Sequence, residues 1–126
     1  MRLTICLAAA LAMGAASAPI HAKPAKHAEF QLNGTSWTFV DKKGVRVRES
    51  VDADGNYISE THAGKHLDHG TAVMKDGKAC FTSAMTKDGE VCWTTSPVKV
   101  GHSIVTHSSK GEKLKVTRVA YKPLKM

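Results

Sequence analysis

The sequence lacks the short motifs that mark the common enzyme classes. It contains no Gly-x-Ser-x-Gly nucleophile turn, no glycine-rich phosphate-binding loop, no dinucleotide fingerprint and no His-Glu-x-x-His zinc motif. Its acidic residues stand mostly in turn signals, where Asp hydrogen-bonds to the local backbone. We therefore expect a protein without enzymatic activity, and the sequence predicts neither a catalytic residue nor a cofactor.

Long apolar runs are also missing, except at the N-terminus. There Arg2 precedes an alanine-rich run that ends at Ala18, which is typical of a secretory signal peptide and too short to span a membrane. Cleavage is predicted after Ala22, because cleavage after Ala18 would leave a proline as the first mature residue. We expect a periplasmic or secreted protein, not an integral membrane protein, with a signal peptide over 1–22, a flexible lead-in over 23–29 and one domain over 30–126.

Cysteine is scarce, and one of the three cysteines, Cys6, lies within the predicted signal peptide. The two that remain, Cys80 and Cys92, form an even count in an oxidising compartment, which predicts a disulfide bond. The bond also removes the thiols that could act as nucleophiles. Closing a loop of this length should stabilise the fold by about 3 kcal/mol in the chain-entropy model.

No apolar period of helical length is present either. From Phe30 onward, runs rich in β-forming residues alternate with glycine-bearing turns. In residues 45–51 the valines alternate with Arg46 and Arg48, so the valines should face the interior. About eight strands can be placed at intervals of roughly 8–12 residues. The sequence therefore predicts an all-β domain, an antiparallel meander that forms a small barrel or a sandwich.

The most motif-like stretch is a pair of strands bracketed by Asp-Gly turns, in which each cysteine is followed directly by an aromatic residue. If Cys80 and Cys92 face each other across a β-hairpin, Phe81 and Trp93 lie on its opposite face. Together with Trp37 of the first strand, these aromatics are candidates either for the core or for the floor of a ligand cavity.

Four segments resemble a group of small exported bacterial β-proteins without an assigned activity. The shared pattern is Gly-x-x-Trp, Asp-Gly-x-Tyr, Asp-Gly-Lys-x-Cys-Phe and Cys-Trp, matched here by Gly34–Trp37, Asp54–Tyr57, Asp76–Phe81 and Cys92-Trp93. The resemblance implies a periplasmic all-β domain.

Two other likenesses are partial. Residues 32–37 are similar to the first strand of META-type and lipocalin-like barrels. Ser109-Lys110-Gly111 resembles a loop of periplasmic C-type lysozyme inhibitors, which implies an interaction loop at these residues.

Histidines are concentrated in one short stretch, which contains His62, His66 and His69 beside Asp68. Imidazole and carboxylate groups at close spacing can bind zinc, copper or nickel, although in an extended strand these side chains would lie too far apart. The stretch is therefore either a metal site in a looped-back conformation or a solvated polar loop. By contrast, Asp52–Gly55 does not fit a calcium-binding EF-hand loop and predicts a hairpin turn.

Positive charge exceeds negative charge, with a formal net charge of +7 at pH 7. Basic residues are frequent near the C-terminus, from Lys110 to Lys125, and there an anionic surface is a possible partner while a solvated face is the alternative. Nucleic acid is not expected, because basic and aromatic residues are not interleaved.

These observations predict a non-enzymatic exported module that binds a small ligand, an envelope polymer or a protein. Two alternatives are an inhibitor that acts through Ser109-Lys110-Gly111 and a metal-binding protein that uses His62, His66 and His69. A roomy cavity lined by Trp37, Phe81 or Trp93 would favour the binding of a small ligand. A filled interior with a protruding Lys110 would favour the inhibitor, and three convergent histidines would favour the metal-binding protein.

Overall fold

The computed structural model describes residues 30–126, and the predicted signal peptide and lead-in lie outside this range. The described chain forms eight β-strands: β1 Thr35–Val40, β2 Arg46–Val51, β3 Asn56–Thr61, β4 His66–Lys75, β5 Lys78–Ser83, β6 Glu90–Thr94, β7 Ser103–His107 and β8 Lys113–Val119. All neighbouring strands are antiparallel. The prediction of an all-β meander with about eight strands is confirmed. Among these residues there is no helix that could cross a membrane.

The sheet curls into a nearly closed barrel, which decides between the predicted barrel and sandwich. The spatial order of the strands is β6-β5-β4-β3-β2-β1-β8-β7, so the first strand pairs with the last one. The two outer strands, β6 and β7, meet at a seam, where Trp93 and Ser108 form a single isolated bridge. The Ser109 backbone N–H donates to the Cys92 carbonyl at 2.8 Å, which fastens the same point.

The strand connections lie at two ends of the barrel, as they must in an antiparallel meander. We call the end with the β1–β2, β3–β4, β5–β6 and β7–β8 connections the mouth, and the opposite end the closed end. A cluster of buried apolar side chains plugs the closed end: Leu32, Val51, Tyr57, Ala72 and Ala79, with Phe30 packed against it.

The turns are made by the residues that the sequence singled out. In the β2–β3 turn, the Asp52 carboxylate accepts hydrogen bonds from the backbone N–H groups of Asp54 and Asn56, both at 2.9 Å. Gly55 follows with φ of +83°, a conformation that glycine adopts without strain. The Asp52 hydrogen bonds and the backbone conformation of Gly55 together account for the turn at this Asp-Gly signal.

Strand β4 begins earlier than its sequence suggests. A strand from His69 is predicted, but β4 starts at His66, because a register shift opposite Ser59 and Glu60 accommodates one extra residue. Conversely, the two valines of Val98–Val100 predict a strand, but none forms there. The chain there follows Pro97, which cannot donate to a ladder, and is held instead by a hydrogen bond from Arg118 Nη1 to the Val98 carbonyl at 2.9 Å.

After β8 the chain crosses the outer surface of β1 and β2. The Lys122 backbone N–H donates to Ser36 Oγ at 2.9 Å, and Ser50 Oγ donates to the Lys122 carbonyl at 2.6 Å. Both serines are buried beneath this tail and lie 2.6 Å apart between their hydroxyl oxygens. The tail therefore covers polar groups that would otherwise face solvent on the first two strands.

A cavity inside the barrel as the candidate functional site

The barrel interior contains a cavity of about 720 Å³. The three aromatics proposed from the sequence, Trp37, Phe81 and Trp93, all line it. Its volume lies within the range of about 300–1,000 Å³ that is usual for small-molecule sites. The structure thus brings together aromatics from β1, β5 and β6 that lie far apart in the sequence.

The cavity reaches solvent at the mouth. Its lining includes exposed residues from three of the connections at that end, such as Lys42 in β1–β2, Asp88 in β5–β6 and Lys110 in β7–β8. Charges of both signs stand here, and Lys42 Nζ lies 3.8 Å from Glu112 Oε1. At the other end Leu32, which is only 3% exposed, closes the floor.

One side of the cavity is apolar. Five inward-facing residues from the last three strands form this apolar wall: Val91, Trp93, Ile104, Leu114 and Val116. All five are only half-buried, although they face the interior, because the cavity leaves them without packing partners. This is the surface that an apolar ligand would cover.

The opposite side carries a polar cluster of Glu49, Tyr57, Ser59, Asp68 and Ser83 on strands β2 to β5. Asp68 accepts hydrogen bonds from the Tyr57 hydroxyl at 2.7 Å and the Ser83 hydroxyl at 2.6 Å. Asp68 Oδ1 also accepts a hydrogen bond from the His69 backbone N–H at 2.9 Å. Three donors therefore hold the Asp68 carboxylate in one orientation.

Glu49 is bound less completely than Asp68. Its Oε2 accepts a hydrogen bond from Ser59 at 2.6 Å, and its Oε1 accepts none from residues 30–126. Burial raises the pKa of the Glu49 carboxyl from 4.5 to about 7; the nearby Asp68 adds to the rise, and the Ser59 hydrogen bond opposes it. Burial and the bond to Asp68 likewise raise the pKa of Tyr57, so its hydroxyl remains a donor.

The predicted histidine site is only partly assembled. His66 Nε2 and His69 Nδ1 lie 3.0 Å apart on the outer surface of β4, because the register shift places His66 on the same face as His69. Asp68, next to His69 in the strand, faces inward by simple alternation, and His62 stands in the exposed β3–β4 turn. In the described part of the chain, the one group of three potential metal ligands within 4.8 Å is Cys80, Glu90 and Cys92, and its thiols are in the disulfide.

The predicted disulfide is present, with Cys80 directly opposite Cys92 and the two Sγ atoms 2.10 Å apart. Phe81 and Trp93 lie on the opposite face, as expected, but they are not directly paired. Phe81 stands opposite Val91 and packs edge-to-face on Tyr57, with ring centroids 5.2 Å apart. Phe81 and Trp93 therefore line the cavity at separate positions and do not contact each other as a cross-strand pair.

The loop Ser109-Lys110-Gly111 lies at the junction of the mouth and the seam. Ser109 helps to hold the seam together, since its Oγ also accepts a hydrogen bond from the Cys92 backbone N–H at 3.3 Å. Lys110 is exposed and lines the mouth. The loop thus contributes to the edge of the cavity.

Sequence reasoning overlooked Glu49, although a signal for it was present. The alternation that turns Val47 and Val51 inward applies equally to the residue between them. A glutamate at an inward position of an otherwise apolar strand face is unusual enough to indicate a site.

No family model, curated protein or solved structure matches the chain. The resemblances noted in the sequence therefore stay predictions, and the geometry of the barrel is the basis on which a function can be assigned.

Proposed function

We propose that the protein is an exported, non-enzymatic binding module that takes up a small, largely apolar ligand inside its barrel. The observation that carries the proposal is the cavity of about 720 Å³, open at the mouth and lined on one side by half-buried apolar residues. A ligand there would remove this apolar surface from water, which is favourable by roughly 25 cal/mol for each Å² covered. The disulfide is compatible with a protein that works outside the cytoplasm.

The cavity also weighs against the inhibitor alternative. An inhibitor that presents Lys110 needs a rigid loop on a filled scaffold, whereas here the scaffold is hollow and Lys110 lines the opening. The metal alternative is supported by the neighbouring imidazoles of His66 and His69, but among the described residues no third ligand lies close enough to complete a metal site with them.

The test uses a neutral fluorophore whose emission shifts in apolar surroundings, such as 6-propionyl-2-(dimethylamino)naphthalene. Titrating it into the purified protein should give saturable, blue-shifted emission. Two single substitutions on β7 form a matched pair. Ile104→Trp places a large side chain in the cavity, and Val105→Trp places the same side chain on the outer surface, where Val105 is 51% exposed.

We expect Ile104→Trp to weaken binding of the fluorophore at least about tenfold, which corresponds to about 1.4 kcal/mol. Val105→Trp should leave binding unchanged. Equal effects of the two substitutions, or emission that never saturates in the unmodified protein, would contradict binding inside the barrel.

A further inference from the structure

Four residues of the polar cluster line the cavity, where a ligand's polar group would meet them, and its two carboxyl groups have no cationic partner among residues 30–126. The ion pairs among residues 30–126 are Lys42–Glu112, Arg48–Glu60 and Lys75–Glu90, none of which involves Glu49 or Asp68. Both side chains are half-buried, and a carboxylate that is removed from water without a cationic partner costs free energy. Residues 30–126 do not supply the positive charge that this arrangement calls for.

Of the two carboxyl groups, Glu49 is the one with unused capacity. Asp68 already accepts three hydrogen bonds from Tyr57, Ser83 and the His69 backbone. Glu49 accepts one, from Ser59, and its side chain lines the cavity. Its Oε1 is therefore the acceptor that a bound molecule can reach.

The geometry points to a ligand with a protonated amine attached to an apolar body: the amine pairs with the Glu49 carboxylate, and the body lies on the apolar wall. This inference rests on the proposed function and adds the chemical class of the ligand. The contact would form a charge-assisted hydrogen bond away from bulk water, where such bonds are strongest.

The unusual protonation of Glu49 agrees with this assignment. Its raised pKa, about 7, reflects burial and the neighbouring Asp68, and the attraction of an ammonium group would favour the ionised carboxylate against both causes. The mouth does not exclude a cation, because Asp41, Asp88 and Glu112 stand there among its lysines.

The experiment measures how well three molecules with the same alkyl chain displace the bound fluorophore at pH 8: octylamine, octanol and octanoate. We expect octylamine to displace it at a concentration at least tenfold lower than octanol, with octanoate the weakest. In Glu49→Gln, octylamine should fall to within threefold of octanol when both are compared by displacement of the fluorophore from that same variant.

Asp88→Asn is the matched control, since it removes one carboxylate from the mouth and leaves Glu49 intact. The preference for octylamine should survive this change. If octanol or octanoate displaces the fluorophore from the unmodified protein at the same concentration as octylamine, the inference is overturned. The proposed function would still stand. A preference that disappears equally in Asp88→Asn would also overturn it, because the amine would then be attracted by the mouth.

Failure of the proposed function has a different signature. If the fluorophore itself does not bind, or if Ile104→Trp does not weaken it, the cavity is not the site and the amine inference falls with it.

Discussion

The first five strands and the last three differ in how completely their apolar side chains are buried. Every buried apolar residue among residues 30–126 lies between Leu32 and Cys80, in β1 to β5 and the segment before them. In β6 to β8 and their connections the buried residues are the polar Thr106 and Ser108, and five apolar residues face the cavity half-buried. The first part contains the packed core and the polar cluster, and the second part contributes an apolar surface available to a ligand.

This difference implies that stability and binding depend on different residues. Outside the polar cluster, substitutions in the first five strands should mainly lower the free energy of unfolding. Substitutions in the last three should mainly alter ligand affinity. Four predictions test that division, beginning with the largest expected effect.

Gly70→Ala should abolish folding. A Cβ at Gly70 would overlap the Thr82 carbonyl oxygen and crowd the Ala84 backbone nitrogen, so two strands of the first part would have to separate. We expect a loss of more than about 4 kcal/mol, or no soluble protein. Circular dichroism and urea unfolding measure it.

The control for this substitution comes from the second part. Gly111 in the β7–β8 turn has φ of +85° but no atom within 4 Å of the added Cβ, so Gly111→Ala should cost only about 1 kcal/mol. Similar losses at the two glycines would mean that close packing is not confined to the first five strands.

Replacing Cys80 and Cys92 together by serine removes the covalent link between the two parts, since Cys80 lies on β5 and Cys92 on β6. The chain-entropy model predicts a loss of about 3 kcal/mol. Urea unfolding of the double variant, compared with the unmodified protein under oxidising conditions, measures the effect. A loss below about 1 kcal/mol would indicate that pairing of β5 with β6 and the seam suffice to hold the second part.

The Glu49 carboxyl should make stability depend on pH. Because its pKa is higher in the folded protein, about 7 against 4.5, the folded state retains the proton over this interval and the unfolded chain does not. Stability should therefore fall as pH rises from about 4.5, and the full loss, on the order of 3 kcal/mol, is reached above about pH 7.

Glu49→Gln removes that titration. It should raise the free energy of unfolding by about 2 to 3 kcal/mol at pH 8 and change it little at pH 5. Urea unfolding at both pH values is the measurement, with Asp88→Asn as a control for loss of an exposed carboxylate. If the free energy of unfolding varies with pH in the same way for Glu49→Gln and the unmodified protein, the pKa of Glu49 is not raised in the folded state.

The smallest effect compares one side chain from each part. Val51 is 0% exposed, and Val51→Ala should cost about 2 kcal/mol because it leaves a void in the core. Leu114→Ala should cost about 1 kcal/mol or less, although it removes more carbon, because Leu114 already borders the cavity. Thermal unfolding ranks them, and a larger loss at Leu114 would contradict the division.

The strands were predictable because their signals are local. Alternation in β2 and the Asp-Gly turns depend on residues within a few positions of each other, and the structure agrees with both. Closure into a barrel was not predictable in this way, because β1 pairs with β8 from the far end of the chain. A sandwich and a barrel share the same local pattern.

The candidate site was predictable to a lesser degree. The inward positions of Glu49 and Asp68 follow from simple alternation, whereas the outward position of His66 depends on a register shift at Ser59/Glu60 that no local pattern indicates. The shift separates His66 from Asp68 and alternation separates His69 from Asp68, so these neighbours in the sequence do not form one site. Tyr57 and Ser83, the actual partners of Asp68, come from the two neighbouring strands.

The tail over β1 and β2 has a practical consequence for handling the protein. Phe30 packs at the closed end, and the chain after Val119 stays at that end through the Lys122 hydrogen bonds to Ser36 and Ser50. Both ends of the described chain thus leave the barrel opposite the mouth. A sensor surface or carrier protein attached through either end leaves the opening facing solution.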